Sequence, residues 1–322
     1  MEKPATLPED RLEDFDSFFK SRLQPALDDL EATRAARLRI IKILIAIGIV
    51  FLAVILFRAL QIRDGSGPLF ANPSVGFAVF GLMFGPLLAA FWLYWRLTQD
   101  YKQVLAAGVC AYYGFSYQRR GFGFPLDRFA PILPPYRQAR LEDRISGHHH
   151  GIDFSLCEAR LTRRSGNDDA KKRDAFNGVL VVFDLPREFN GRTILTPDWS
   201  LAGNLAERIR QAGERIELEG AVFETQFEVY STDRLEAHLI FTPLFMERIV
   251  RMAECRGSPK GIGLSFDRNQ LLVALRNPRG DSRFEPGHFF SGVPNWRERA
   301  DTSASELDYV LGVADCLGLR SE

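Results

Sequence analysis

The residue run most suited to chemistry is His148-His149-His150, with Asp153 close behind. On an extended strand alternate side chains share a face, so His148 and His150 point the same way with Asp153 nearby. Imidazole and carboxylate are zinc ligands, which makes His148, His150 and Asp153 the candidate metal set. A closed site needs a further ligand, and His238 and His288 are the histidines left to supply it. Gly147 and Gly151 flank the run, as in a solvated loop beside a strand, so the expectation is no metal and no cofactor. Glu142-Asp143 and Asp184 offer carboxylates for acid–base work, but scattered acids more often pair with arginine. Gly263-Leu264-Ser265-Phe266-Asp267 lacks the second glycine of a nucleophile elbow. Gly257-Ser258-Pro259-Lys260-Gly261 has neither the spacing nor the following hydroxyl residue of a phosphate loop. Gly121-Phe122-Gly123 and Gly261-Ile262-Gly263 lack the third glycine of a dinucleotide fingerprint. Cys110, Cys157, Cys255 and Cys316 form no paired motif, which excludes a zinc ribbon and suits a reducing compartment. No catalytic set is complete. Catalytic residues stay unassigned, and the sequence leans away from an enzyme.

Composition narrows the partners. The 322 residues carry 41 basic and 41 acidic side chains, a net charge of zero that argues against nucleic acid. With 46% hydrophobic residues and 26 phenylalanines, a charged disordered chain is excluded. The apolar residues are unevenly spread. Ile43 to Phe57 carries no charge, and neither does the stretch from Gly65 to Trp95. About 20 apolar residues cross a bilayer as a helix, so spans are expected at about 40–60 and 75–96. Trp92, Tyr94 and Trp95 form an aromatic belt at the end of the second. Gln61 to Pro73 is too short for a domain and makes the pair a hairpin. Arg34, Arg37, Arg39 and Lys42 before the first span, and Arg96 and Lys102 after the second, place both termini in the cytoplasm. Gly81, Gly85 and Ala89 recur every four residues, a stripe on which helices approach closely. It serves packing against the first span or, alternatively, a second copy.

These elements must be positioned by soluble parts on either side. Residues 1–37 form an acidic amphipathic segment, with Leu12, Phe15, Phe19, Leu23, Leu27 and Leu30 at helical spacing and Pro25 interrupting. Its expected place is docked on the chain's own cytoplasmic domain, with the membrane face or a protein partner as the alternatives. Residues 38–97 are the membrane hairpin, and 98–322 the cytoplasmic domain. Within that domain strands are expected at Gly151–Leu161, Gly178–Leu185, Arg192–Leu195 and Phe223–Tyr230. Gly261–Phe266 and Leu271–Leu275 read as a hairpin around Asp267–Gln270. Helices are expected at Pro243–Cys255 and Ser303–Leu317, the latter with Ser303 and Glu306 as a capping box. The basic residues Arg160, Arg163, Arg164, Lys171, Lys172 and Arg173 flank a loop at Ser165–Asp169. Adjacent strands with irregular helices give an α+β domain with a mainly antiparallel sheet.

Several short stretches carry a resemblance. They are Glu142-Asp143-Arg144-Ile145-Ser146-Gly147, Phe176-Asn177-Gly178-Val179-Leu180 and Gly191-Arg192-Thr193. Phe227-Glu228-Val229-Tyr230-Ser231, Thr242-Pro243 and Phe284-Glu285-Pro286 complete the order. The chain resembles a domain-of-unknown-function family of uncharacterised bacterial membrane proteins with two N-terminal membrane helices and a cytoplasmic domain. The resemblance implies a two-pass protein of the bacterial inner membrane, and the family has no established activity to carry over. The functional expectation is a membrane-anchored interaction or scaffold domain whose partners are the lipid bilayer and a protein or second copy. The alternatives are a ligand- or lipid-binding sensor and a membrane-tethered hydrolase.

Overall fold

The computed structural model describes residues 9–61, 73–165, 168–197, 213–255, 261–276 and 296–316. Packing divides them into two units, one helical (within Leu7–Gly108 and Phe284–Ala300) and one built on a sheet (within Val109–Arg283 and Asp301–Glu322).

In the helical unit, α1 (Glu9–Phe18) runs through a π-helical turn (Phe19–Leu23) into α2 (Gln24–Gln61). Pro25 was expected to interrupt this run and does not. The wider turn lets the Gln24 N–H reach the Phe19 carbonyl, relieving the crowding a proline imposes on the preceding turn. Phe15, Phe19, Leu23 and Leu27 are all buried, as the helical spacing requires. The N-terminal segment thus packs within the helical unit. Leu23 lies against Gly108 so closely that a β-carbon there would collide with it.

Helix α3 (Pro73–Tyr112) continues through Pro86. It runs antiparallel to α2: Arg37 bonds Asp100 at 2.8 Å, and Leu87 would lie 2.7 Å from a β-carbon at Gly48. Trp296, the first residue of α7 (Trp296–Cys316), stacks on Tyr101 with centroids 4.6 Å apart and donates to Glu31 at 3.2 Å. Arg297 lies over the Phe15 ring at 4.9 Å and bonds Asp16 at 3.0 Å. Among the described residues one helical run, Asp14–Phe57, is long and apolar enough to cross a membrane. The expected connection between the spans falls on residues 62–72, outside the described set.

Among the described residues the sheet unit is a nine-stranded antiparallel sheet, which confirms the α+β class. Its strands are β1 (Ser116–Gln118), β2 (Gln138–His149), β3 (Ile152–Ser165), β4 (Asp168–Asp184), β5 (Thr193–Pro197), β6 (Glu214–Ile216), β7 (Phe227–Ser231), β8 (Ile262–Asp267) and β9 (Gln270–Arg276). In space they run β1-β2-β3-β4-β9-β8-β5-β7-β6. The apolar run in β4 has the position expected of a central strand, between β3 and β9, with Leu180, Val181, Val182 and Phe183 all buried. Alternation along each strand sorts the residues onto two faces. One face carries Cys157, Ala159, Leu161, Leu180, Val182, Leu272 and Ala274 beneath the segment Phe122–Tyr136, which contributes Phe129, Ile132 and Leu133. The other carries Val181, Phe183, Leu264 and Phe266; at its β8–β7 end Phe223, Phe227, Phe241, Phe245 and Phe266 interlock as rings.

Helix α6 (Pro243–Cys255) has the expected bounds. Proline at its first position needs no N–H partner, and the Thr242 hydroxyl accepts from the Phe245 N–H at 3.3 Å. The β8–β9 hairpin also stands as expected, with Arg268 in the left-handed region that a two-residue turn needs. Two expectations fail, and one helix was not foreseen. Phe223 belongs to a one-turn helix, α4 (Ala221–Glu224), and the strand starts at Phe227; residues four apart share a helix face, so the alternation misled. Ser303 is buried inside α7, which starts at Trp296, so it caps nothing. Helix α5 (Arg234–Ile240) was not expected at all.

Gly178 marks the tightest point of the sheet: a β-carbon there would run into the Leu275 carbonyl oxygen of β9. Backbone cannot yield as a side chain can. Gly178→Ala is expected to destabilise the sheet unit by about 1–3 kcal/mol, read as a lowered unfolding midpoint of the full chain in detergent.

Candidate functional site

The histidine run forms the end of the β2–β3 hairpin. His149 pairs with Ile152, leaving His150 and Gly151 as a two-residue turn with φ of 48° and 84°. This turn matches strand twist, and glycine takes its second position without strain. His150 therefore does not share a strand face with His148. His148 sits opposite Asp153, with Nδ1 3.0 Å from the Asp153 carboxylate, and both side chains are exposed. Among the described residues no three His, Cys, Asp or Glu side chains converge as a metal set. Asp153 also lies opposite Asp184 across β3 and β4. That like-charge pair is divided between two partners, His148 for Asp153 and the Gln270 amide for Asp184.

Asp143 is the buried carboxylate of this end of the sheet, 1% exposed. It occupies a bulge in β2 between Glu142 and Ile145, with φ of 56°. Aspartate tolerates this region better than most residues. The bulge turns its side chain inward, where the Tyr117 hydroxyl donates to it at 2.6 Å; its own N–H donates to the Arg119 carbonyl at 3.0 Å. Burial, then the Asp143 charge, hold the Tyr117 hydroxyl protonated far above the usual phenol range. The same two causes push the Cys110 thiol up to about 12. A thiol that stays protonated is a poor nucleophile, so this buried group locks β1 to β2 without offering covalent chemistry. The neighbouring Glu142 is nearer solvent and bonded by Arg120 and Arg140, which hold its carboxyl below the usual range against the opposing effect of burial.

A second polar constellation lies where β4, β5 and the β8–β9 turn end. Asp233 caps α5 by accepting from the Glu236 N–H at 3.0 Å. In a capping box the glutamate side chain returns to the cap residue. Here Ser231 Oγ accepts from the Asp233 N–H instead, and Glu236 turns inward. Its two carboxylate oxygens accept from the N–H groups of Asn190 at 3.0 Å and Gly191 at 2.8 Å. The next N–H, of Arg192, donates to Thr232 Oγ1 at 2.8 Å. Three consecutive backbone donors are thus fixed by side chains. A β-carbon at Gly191 would come within 2.8 Å of Asp233 Cβ, so glycine is required. The fixed loop presents Arg192 to Asp267 at 3.1 Å, where Arg128 from the covering segment also arrives at 3.3 Å. Arg128 further bonds Gln270. The partly exposed ion pairs contribute modestly; the buried carboxylate with two N–H donors matters more. The Asp233–Glu236 spacing and the Gly191-Arg192-Thr193 stretch were the available sequence signals. Nothing in them revealed which way Glu236 turns.

Gly81, Gly85 and Ala89 are exposed on α3, and a β-carbon at Gly81 or Gly85 would meet nothing within 4 Å.

Residues 174–319 match a protein family described as "Protein of unknown function (DUF3137)". The match takes in five of the resembling stretches, from Phe176 to Pro286, and leaves out Glu142–Gly147 and the N-terminal helices. Among solved structures, the mycobacterial trehalose monomycolate transport factor A, TtfA, is similar at 12% identity and a TM-score of 0.33, over 67% of this chain and 96% of that one. No curated protein matches.

Two outcomes follow from this geometry. Glu236→Ala strips two buried N–H groups of their acceptor and is expected to cost about 1–3 kcal/mol per unsatisfied group, read by denaturant unfolding. In a Cys255→Ser, Cys316→Ser background, the two remaining buried thiols, Cys110 and Cys157, are expected to resist maleimide at pH 8 in the folded chain and to react once denatured. Fast labelling of the native protein would contradict the burial described.

Proposed function

We propose that the chain is a membrane-anchored interaction or scaffold protein. A two-helix hairpin, with spans at about 40–60 and 75–96, holds the sheet domain at the cytoplasmic face of a bacterial inner membrane, both termini inside. The functional division is residues 1–37, 38–97 and 98–322. The observation that carries this reading is the run of exposed apolar side chains on α2, including Ile43, Ile49, Val50, Val54, Leu56 and Phe57. Such a surface is unfavourable in water at about 25 cal/mol per Å²; hydrocarbon removes the cost.

Leu88, Phe91 and Trp92 extend the exposed apolar surface onto α3. Arg96 lies over the Trp92 ring at 5.4 Å, an arrangement suited to a headgroup layer. Because the helices run antiparallel, Arg37 and Asp100 meet beyond that layer on one side. The outward stripe of Gly81, Gly85 and Ala89 suits close approach by a second copy. An interaction role fits the polar chemistry of the sheet unit: Asp143 and Glu236 are engaged with the protein's own hydroxyl and N–H groups.

Two measurements test the reading. Ser66→Cys is expected to react with a membrane-impermeant maleimide on intact cells; labelling only after lysis would overturn the hairpin. Crosslinking in native membranes is expected to trap a recurrent protein partner or a dimer. A monomer without any recurrent partner would sink the scaffold role.

A further inference from the structure

Among the described residues, β2 stops pairing with β3 at Thr162 and β9 stops pairing with β4 at Gly178. Beyond those points β3 and β4 pair only with each other, as a two-stranded ribbon over residues 163–165 and 168–173. In its register Arg163 lies opposite Arg173 and Arg164 opposite Lys172. Like charges directly opposite destabilise a strand pair. Asp174, next along β4, is bonded to Arg160 at 3.1 and 3.2 Å. From Arg160 to Asp174 the chain carries six basic and three acidic side chains, net +3. Arg137, whose N–H donates to the Thr162 carbonyl at 2.8 Å, adds a further exposed cation at the base of the ribbon. The opposite sign collects on the N-terminal helices. Residues 9–31 carry eight acidic and three basic side chains, net −5. Burial of Phe15, Phe19, Leu23 and Leu27 along one stripe fixes which residues face out, and Asp14, Asp28 and Asp29 are exposed. The cations close by are engaged: Lys20 with Asp16 at 2.6 Å, Arg34 with Glu31 at 3.0 Å and Arg37 with Asp100 at 2.8 Å.

We propose that the basic ribbon of one copy docks on the acidic N-terminal helices of a second copy, and the second copy's ribbon on those of the first. Arg163, Asp14, Asp28 and Asp29 are all exposed in the single chain. Every copy carries both surfaces, so one exchange satisfies both. Two reciprocal contacts of this kind close as a two-fold dimer. Complementary charge fixes the register and speeds the encounter. The partner's acids also remove the like-charge cost along the ribbon. The inference rests on the interaction reading above and names its partner.

The test uses the full chain in detergent, with mass read by light scattering. One variant carries Arg163→Glu and Arg173→Glu; the other carries Asp14→Lys, Asp28→Lys and Asp29→Lys. The wild-type chain is expected to be a dimer at about 0.1 M salt and to dissociate at about 1 M, as the screening length falls from about 10 Å to about 3 Å. Each variant alone sets like charge against like and is expected to self-associate about tenfold more weakly. Mixed in equal amounts, the two variants are expected to restore the dimer, because acid then meets base at both contacts. A monomeric wild type, a dimer indifferent to salt, or variants that dimerise as the wild type does would each overturn the proposal. A mixture that stays monomeric, with both variants unfolding at the wild-type midpoint, means the contact forms within one chain, and overturns docking between copies. Should a reversed variant unfold early, Arg163→Gln with Arg173→Gln and the salt series decide in its place. A monomeric chain that still traps a recurrent protein partner in native membranes overturns this inference and leaves the interaction reading standing; a monomer without one overturns both.

Discussion

A strand with both faces buried has to be covered twice, and β4 imposes that requirement on the sheet unit. Leu180 and Val182 face one way and Val181 and Phe183 the other, and all are buried. Helices cover part of one face. The opposite face is closed by an irregular proline-rich segment carrying Phe122, Phe124 and Phe129. An irregular cover contributes apolar contacts but few backbone hydrogen bonds, so it needs lateral fixation. Arg128 supplies it by reaching Asp267 and Gln270 on the β8–β9 hairpin.

The same logic governs the polar residues. Asp143 and Glu236 are carboxylates in buried positions, where an uncompensated charge is costly. Each takes donors from the protein at a place where the chain departs from regular structure: the β2 bulge and the loop before β5. Fixing the second loop also fixes α5, because Glu236 on α5 is the acceptor for the loop's N–H groups. The direction of Leu235 and Leu239 is thereby tied to a hydrogen-bonding requirement some distance along the chain.

How far this was legible follows from the local signals. A proline after threonine gave the start of α6, and the four polar residues Asp267–Gln270 between apolar runs gave the β8–β9 turn, which the structure tightens to two. Strand β2 escaped notice because Glu142, Asp143 and Arg144 break its alternation where the bulge adds residues. The histidine run suggested a shared face because strand geometry was extended through it; a turn at His150-Gly151 removed that face. Ser303 carried a capping signature in the middle of a helix, since local spacing does not report what precedes it.

By itself the sequence determined what depends on neighbouring residues: the long apolar helix, the α+β class, the apolar central strand, and the start of α6 at Thr242-Pro243. Those properties follow from periodicity and from steric limits within a few residues. Only the tertiary structure decided which side chains meet across distant elements. It turned Glu236 away from its own helix cap toward the Asn190 loop and brought Arg128 and Arg192 to one carboxylate. Each depends on the relative placement of elements far apart in the chain, on which local spacing carries no information.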